Sequence, residues 1–498
     1  MFNSPVPGLK AKRIQVFICC FIQYAMLHSC RSTWSFTSGI LAKQDDDDHK
    51  YDDQRIDDFD KSYLADVNFA FLFTYGSSML FLGQVGDRIG PKRFMLCGTF
   101  LTGIIQFLIA GLFTVEQHNR WIILTLMIFN GIAQAPVWPG LMAIMNNWQS
   151  KPNKVIIMGY FTACTNIGNI LGDLFAGIFI EQFQFSVISP IYVAAAGVTL
   201  MSFINIFAIP TDSAKEYISK FRNPNTKSLV YKDAHAEYMS RSGSRTASVV
   251  SNQDLDISKS NIDQSLLTVA RNTVGEPQLQ PKRPKKDSIN MFSAWKLPNV
   301  ALYAFSFGCI KAVFYILAFW LPNYLSGQEL NGVAWITQMI EWGTIPGCIL
   351  ICYSGVYWNV RASLIVPILW LGTVVMICID QLRKIENHKP YFLYYLLVFL
   401  TGLLIGGVYN NISGAIVIEL SNMKELKGNK KSTATVTSVV MGYGATFAAL
   451  NQLIVPHLGD KIFEYCGLNA VIAGMFLIPL IITEYKRLRQ NKSQVQQL

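Results

Sequence analysis

The sequence predicts an all-α membrane protein of about twelve helices, arranged as two pseudo-symmetric halves of six. Three observations carry this. Apolar residues make up 51% of the 498 positions and charged residues only 15%, against roughly a quarter charged in soluble domains. The apolar residues come in long blocks rather than in narrow periodic stripes, and a block of about 20 is what a ~30 Å hydrocarbon core demands of a spanning helix. The blocks also fall into two sets, separated by one long polar stretch.

The first set lies near residues 14–40, 65–86, 94–114, 121–146, 155–179 and 186–209. The second lies near 298–323, 333–356, 362–380, 391–419, 433–456 and 465–484. In the fourth block Asn130, Gln134 and Trp138 recur every four residues, and Trp138-Pro139 is expected to kink the helix. Residues 1–210 form one half, 297–498 the other, and 211–296 a linker. That linker is rich in Ser, Asn, Asp and Lys and buries too little apolar surface to order itself. Ser242, Ser244 and Ser248 stand beside arginines there and are candidate phosphate acceptors, although a plain solvated tether explains the composition as well.

The net charge of +10 does not indicate nucleic acid. The basic residues sit in short segments between apolar blocks, as the bias toward positive cytoplasmic loops predicts, so both termini and the linker are expected in the cytosol. Arg88, Lys92, Arg93, Lys486, Arg487 and Arg489 all fall on that side. The first apolar block follows Lys10, Lys12 and Arg13 and runs on past an arginine, unlike a cleavable signal. The ten cysteines are scattered through apolar blocks without metal or redox spacing, and neither a P-loop nor a catalytic constellation occurs. No cofactor or metal is expected, and the chain does not read as an enzyme. The acidic run DDDDHKYDDQRIDDFD in the first outer loop lacks the glycine and ligand spacing of a calcium loop and reads as a solvated mouth.

Charged residues inside apolar blocks mark the function, because each costs several kcal/mol unless it faces a cavity or partner. Arg31 stands well inside the first helix, on one face with Tyr24, His28, Ser35 and Ser38. Lys311 occupies the comparable place in the seventh helix, with Tyr315 one turn on. Two cations from equivalent helices repel across an empty cavity and welcome a dianion such as a phosphoryl group. In the fifth helix Thr162, Asn166, Asn169 and Asp173 form a stripe whose acid can pair with a cation or take a proton. Tyr409, Asn410, Asn411, Thr435 and Thr437 are further polar candidates for the cavity or for helix–helix hydrogen bonds.

Between the second and third helices runs GQVGDRIGPKR. It resembles the loop motif of the major facilitator superfamily, whose fold has two six-helix repeats with a binding site between them. In this reading Gly83 allows close helix approach, Asp87 caps or ion-pairs a neighbouring helix end, Gly90 turns the chain, and Arg88 and Arg93 supply positive charge. Together they form a conformational latch. The corresponding second-half loop, CYSGVYWNVR, keeps Arg361 but has Gly355 where an aspartate is expected.

Longer segments carry a narrower likeness: FIQYAMLHSCRSTWSF, NFAFLFTYG, FNGIAQAPVWPG, GNILGDLFAG, CIKAVFYILAFWLPNYL and KELKGNKKSTATVTSVVMGYGATFAAL. They resemble the eukaryotic sugar-phosphate exchangers of the organophosphate:phosphate antiporter branch, over nearly the whole chain except the acidic loop and the linker. The resemblance implies exchange of a sugar phosphate or glycerol phosphate for inorganic phosphate, often across the endoplasmic reticulum membrane; a monomer is the default expectation. It implies that Arg31 and Lys311 grip the phosphoryl group. Two departures stand out. Ser32 follows Arg31 where the family usually has lysine, and Asp173 stands where relatives carry a small neutral residue. A proton-coupled carrier of another organic anion, with Asp173 titrating, and a non-transporting membrane scaffold or sensor remain alternatives at this point.

Overall fold

The computed structural model describes residues 8–41, 59–116, 119–150, 154–222, 289–326, 333–383, 391–426 and 432–495. The acidic first loop and most of the linker, with Ser242, Ser244 and Ser248, lie outside these residues. The described residues form helices and their connections, with no strand among them.

Six long helices precede the linker: α1 (Leu9–Leu41), α2 (Lys61–Ile89), α3 (Pro91–Thr114), α4 (Arg120–Trp148), α5 (Lys154–Ala176) and α6 (Ser189–Ala208). Six follow it: α7 (Val300–Ser326), α8 (Val333–Tyr357), α9 (Ala362–Arg383), α10 (Tyr391–Ser421), α11 (Thr433–Gln452) and α12 (Ile462–Val495). A short helix, Ala214–Arg222, belongs to a second compact unit, whereas α1 from Lys10 onward and α2 to α12 pack into one unit. Among the described residues, eleven helices are long and apolar enough to cross a membrane. The exception is α1, which at 33 residues has the length but carries Gln15, Gln23, Tyr24, His28 and Arg31. The helix that departs from the lipid-like composition is the one that carries the candidate site.

The expected kink of α4 is displaced. The helix breaks at Ala135–Pro136, three residues before Pro139. Pro136 precedes the second helical segment, Val137–Trp148, and Pro139 falls in that segment's first turn. There a missing N–H costs no intrahelical bond. Helix α10 carries two π turns, Gly402–Gly406 and Ile412–Ile416. Such turns rotate side-chain register and recur at functional sites. Here they bracket Tyr409, Asn410 and Asn411.

The halves meet along α2 and α11, and along α5 and α8. Absent side chains make the first contact possible: a Cβ on Gly83 would lie 2.4 Å from the Ser438 Cβ, and one on Gly76 2.5 Å from the Thr446 nitrogen. Between α5 and α8, Thr162 Oγ1 lies 3.2 Å from Cys348 Sγ. On the end of the bundle where α1 begins and α12 ends, Asn146 of α4 donates to Thr433 Oγ1 at 2.7 Å and accepts from Asn422 at 3.0 Å. That end is joined across the halves.

Candidate functional site

Helix α1 presents Tyr24, His28 and Arg31 on one face, as 3.6-residue periodicity requires. The Tyr24 ring packs between Trp138 and His28, at centroid distances of 4.5 and 4.7 Å. His28 Nδ1 lies 3.0 Å from Asn169 Oδ1 of α5. The Arg31 Nε donates to Gln134 Oε1 at 2.6 Å, and Nη1 donates to the Tyr315 hydroxyl at 3.1 Å, which ties the first half to the second. Its Nη2 is buried and makes no hydrogen bond. The guanidinium carbon stands 4.7 Å from the centroid of the Tyr75 ring and 5.5 Å from that of Phe71. Ser38 turns back on its own helix, donating to the Ser35 carbonyl.

Lys311 is 1% exposed. Its Nζ reaches one acceptor, the Met441 carbonyl at 3.5 Å, too long to offset the loss of water. The ammonium otherwise faces aromatic rings: Tyr75 at 5.2 Å, Phe307 at 5.6 Å and Tyr315 at 5.7 Å. Cation–π contacts, worth about 0.5–2 kcal/mol each, offset part of the several kcal/mol that a buried ammonium costs. Among the described residues, neither Arg31 nor Lys311 forms a salt bridge with a carboxylate. Tyr75 and Gln134 complete the cationic end, with Tyr409 stacked on Phe314 at 4.4 Å behind it.

Asp173 accepts a hydrogen bond from Ser32 Oγ and another from the Gln338 side chain. Sequence reasoning passed over a second buried carboxylate, Glu341 of α8, which is 8% exposed. Asn166 Nδ2 donates to its Oε2 at 2.5 Å and Asn169 Nδ2 to its Oε1 at 2.8 Å. The rule that singled out Asp173, an acid inside an apolar block, applies equally to Glu341 in WITQMIEWG.

The structure also locates the loop residues. Asp87 is buried at the N terminus of α11, accepting from the backbone of Ala434 at 3.3 Å and Thr435 at 2.9 Å, and from Thr435 Oγ1 at 2.7 Å. An anion there meets the positive end of the helix dipole. Gly83 lies one turn earlier, at the closest approach of α2 to α11. Gly90 adopts φ +99° between α2 and α3, where only glycine is unstrained. Arg88 and Arg93 are exposed. In the second half, the Arg361 guanidinium pairs with the Glu419 carboxylate. Glu484 caps α9 through the backbone nitrogens of Arg361, Ala362 and Ser363. Gly355 leaves room for this arrangement, since a Cβ there would sit 2.7 Å from Arg361 Nη1. The second-half loop therefore replaces the expected aspartate with acids from α10 and α12.

A family model matches most of the sequence, in keeping with two six-helix sets joined at α2–α11 and with Asp87, in the last turn of α2, capping α11. The description of that model is Major Facilitator Superfamily, and it covers residues 55–450. The chain belongs to the major facilitator superfamily. As a member it is an integral, multi-pass membrane protein. It is 27% identical over 493 residues to a putative glycerol-3-phosphate transporter 2 of Arabidopsis thaliana, covering 97% of this chain and 89% of that one. It is 25% identical over 505 residues to sugar phosphate exchanger 3 of Gallus gallus, covering 96% and 94%. Sugar phosphate exchanger 3 of Mus musculus is likewise 25% identical over 510 residues, covering 96% and 94%.

Proposed function

We propose that this superfamily member carries an organic phosphate, a sugar phosphate or glycerol phosphate, in exchange for inorganic phosphate by alternating access. One observation carries the reading: two cations from α1 and α7 converge on the Tyr75 ring, and among the described residues no carboxylate is salt-bridged to either. A phosphoryl group supplies the missing charge and the acceptor that Arg31 Nη2 lacks. The relatives named as glycerol-3-phosphate transporters and sugar phosphate exchangers support the substrate class. Arg31 and Lys311 bind the phosphoryl group, and Tyr315, Tyr24 and His28 shape the space around it.

Alternating access requires the joined end of the bundle to part. The Asp87 cap and the Gly83 approach act as the latch that favours the state seen here, and Arg88, Gly90 and Arg93 shape its loop. In this reading the halves, residues 1–210 and 297–498, rock as units about a cytosolic tether. Both termini lie in the cytosol, the membrane is that of the endoplasmic reticulum or another endomembrane, and a monomer suffices. The test is heteroexchange: proteoliposomes loaded with glucose 6-phosphate or glycerol 3-phosphate should drive entry of labelled phosphate, and unloaded vesicles should not. Equal entry into loaded and unloaded vesicles would refute exchange.

A further inference from the structure

We infer that the preferred substrate is an organic phosphate that also bears a cationic amine, such as an amino-sugar phosphate or a phosphorylated amino alcohol. The inference rests on the phosphate reading above and adds the second half of the ligand.

The hydrogen-bond directions around Glu341 are set by their neighbours. Asn410 Nδ2 donates to Asn166 Oδ1 at 2.6 Å, so the Asn166 amide turns its NH2 toward Glu341. With the proton on His28 Nδ1, that nitrogen donates to Asn169 Oδ1, and the Asn169 amide also turns its NH2 toward Glu341. Both carboxylate oxygens accept, an arrangement that suits the ionised acid. Three helices, α1, α5 and α10, thus converge on one anion.

No protein cation answers that charge. Among the described residues, neither Glu341 nor Asp173 forms an ion pair, and Asp173 lies within electrostatic reach of Glu341. Around Glu341, α1 contributes His28, α5 contributes Asp173, and α10 contributes Tyr409. An independent observation points the same way: Asn410 is 1% exposed, and its Oδ1, on the amide that orients Asn166, is buried without a donor. The site therefore has two ends. Arg31 Nη2 and Asn410 Oδ1 are buried without a hydrogen-bond partner, and among the described residues Glu341 and Asp173 carry no ion pair. His28, which meets Asn169 beside Glu341, and Arg31 are three residues apart on α1, a rise of about 4.5 Å, just under one helical turn. An ester without an amine leaves the buried Glu341 and the half-buried Asp173 beside a bound dianion, and an ammonium group offsets that repulsion.

Competition against labelled phosphate uptake into phosphate-loaded proteoliposomes tests this, using matched pairs: glucosamine 6-phosphate against glucose 6-phosphate, and phosphoethanolamine against glycerol 3-phosphate. The amine member of each pair should compete on the order of tenfold better, and Glu341→Gln should shrink that ratio within the same preparation. The wild-type ratio stands without any variant. Equal competition with phosphate exchange intact overturns the inference and leaves the phosphate reading standing. So does acid-stimulated uptake of the amine-free esters that disappears in Glu341→Gln, which makes the acid a proton site. Absence of phosphate exchange in folded protein removes both readings together.

Discussion

Arg31 and Lys311 stand on the same aromatic ring: the guanidinium carbon lies 4.7 Å and the ammonium 5.2 Å from the Tyr75 centroid. They come from the first helix of each half, yet the fold sets them within ~10 Å of each other. At an effective dielectric of about 20, their repulsion is at least ~1.5 kcal/mol. The arrangement stores an affinity for anions at the expense of stability.

That conflict can be measured. Lys311→Met keeps the length and apolar stem of the side chain and removes a buried charge without a carboxylate partner. The variant should be more stable than wild type by about 1–3 kcal/mol, read as a raised Tm in detergent, while losing phosphate exchange. A lowered Tm would mean that the ammonium has a stabilising partner.

Asp87 is expected to hold the joined end closed. Asp87→Asn keeps the shape of the cap but weakens its attraction to the α11 dipole by about 1–2 kcal/mol. Cys352, buried at 2% between α5 and α8, reports the opening. With Cys352 as the sole cysteine, its reaction with a polar maleimide should accelerate roughly 5- to 30-fold in Asp87→Asn. An unchanged rate would remove the latch role.

Gly83→Val should act at the same place through volume. Its Cβ would lie 2.4 Å from the Ser438 Cβ, so α2 and α11 must separate. Labelling of Cys352 should rise further than in Asp87→Asn, and phosphate exchange should fall because one of the two alternating states is disfavoured. Retention of wild-type labelling would mean that the helices adjust locally.

Ser32 donates to Asp173, so a lysine at position 32 has a carboxylate within reach. Ser32→Lys should pair with Asp173 and reduce the preference for amine-bearing phosphates in the matched competition, since the protein then supplies part of the missing cation. An unaltered preference would place the amine away from Asp173.

Much of the fold was legible because the bilayer imposes a length on every apolar block. Helices α2 to α12 follow the expected blocks closely, although α12 runs on to Val495. Isolated charges were equally legible, since Arg31, Lys311 and Asp173 each break an apolar run. What joins them was not. Gln134, Tyr75 and Glu341 meet the stripes of α1 and α5 from other helices, and a contact between helices leaves no periodic trace in either one. The fate of Arg361 was hidden for the same reason: its carboxylate arrives from Glu419, 58 residues away. Proline position alone also misplaced the break in α4, because Pro136 and Pro139 look alike until the start of the second segment is known.

The most direct test of the central claim is phosphate–phosphate counterflow in proteoliposomes, comparing wild type with Arg31→Ala and Lys311→Ala. Accumulation of labelled phosphate in wild type, reduced by about 100-fold or more in each variant, is the predicted result. Wild-type counterflow that survives in both variants, in protein shown to be folded, would contradict a phosphoryl site built on this pair.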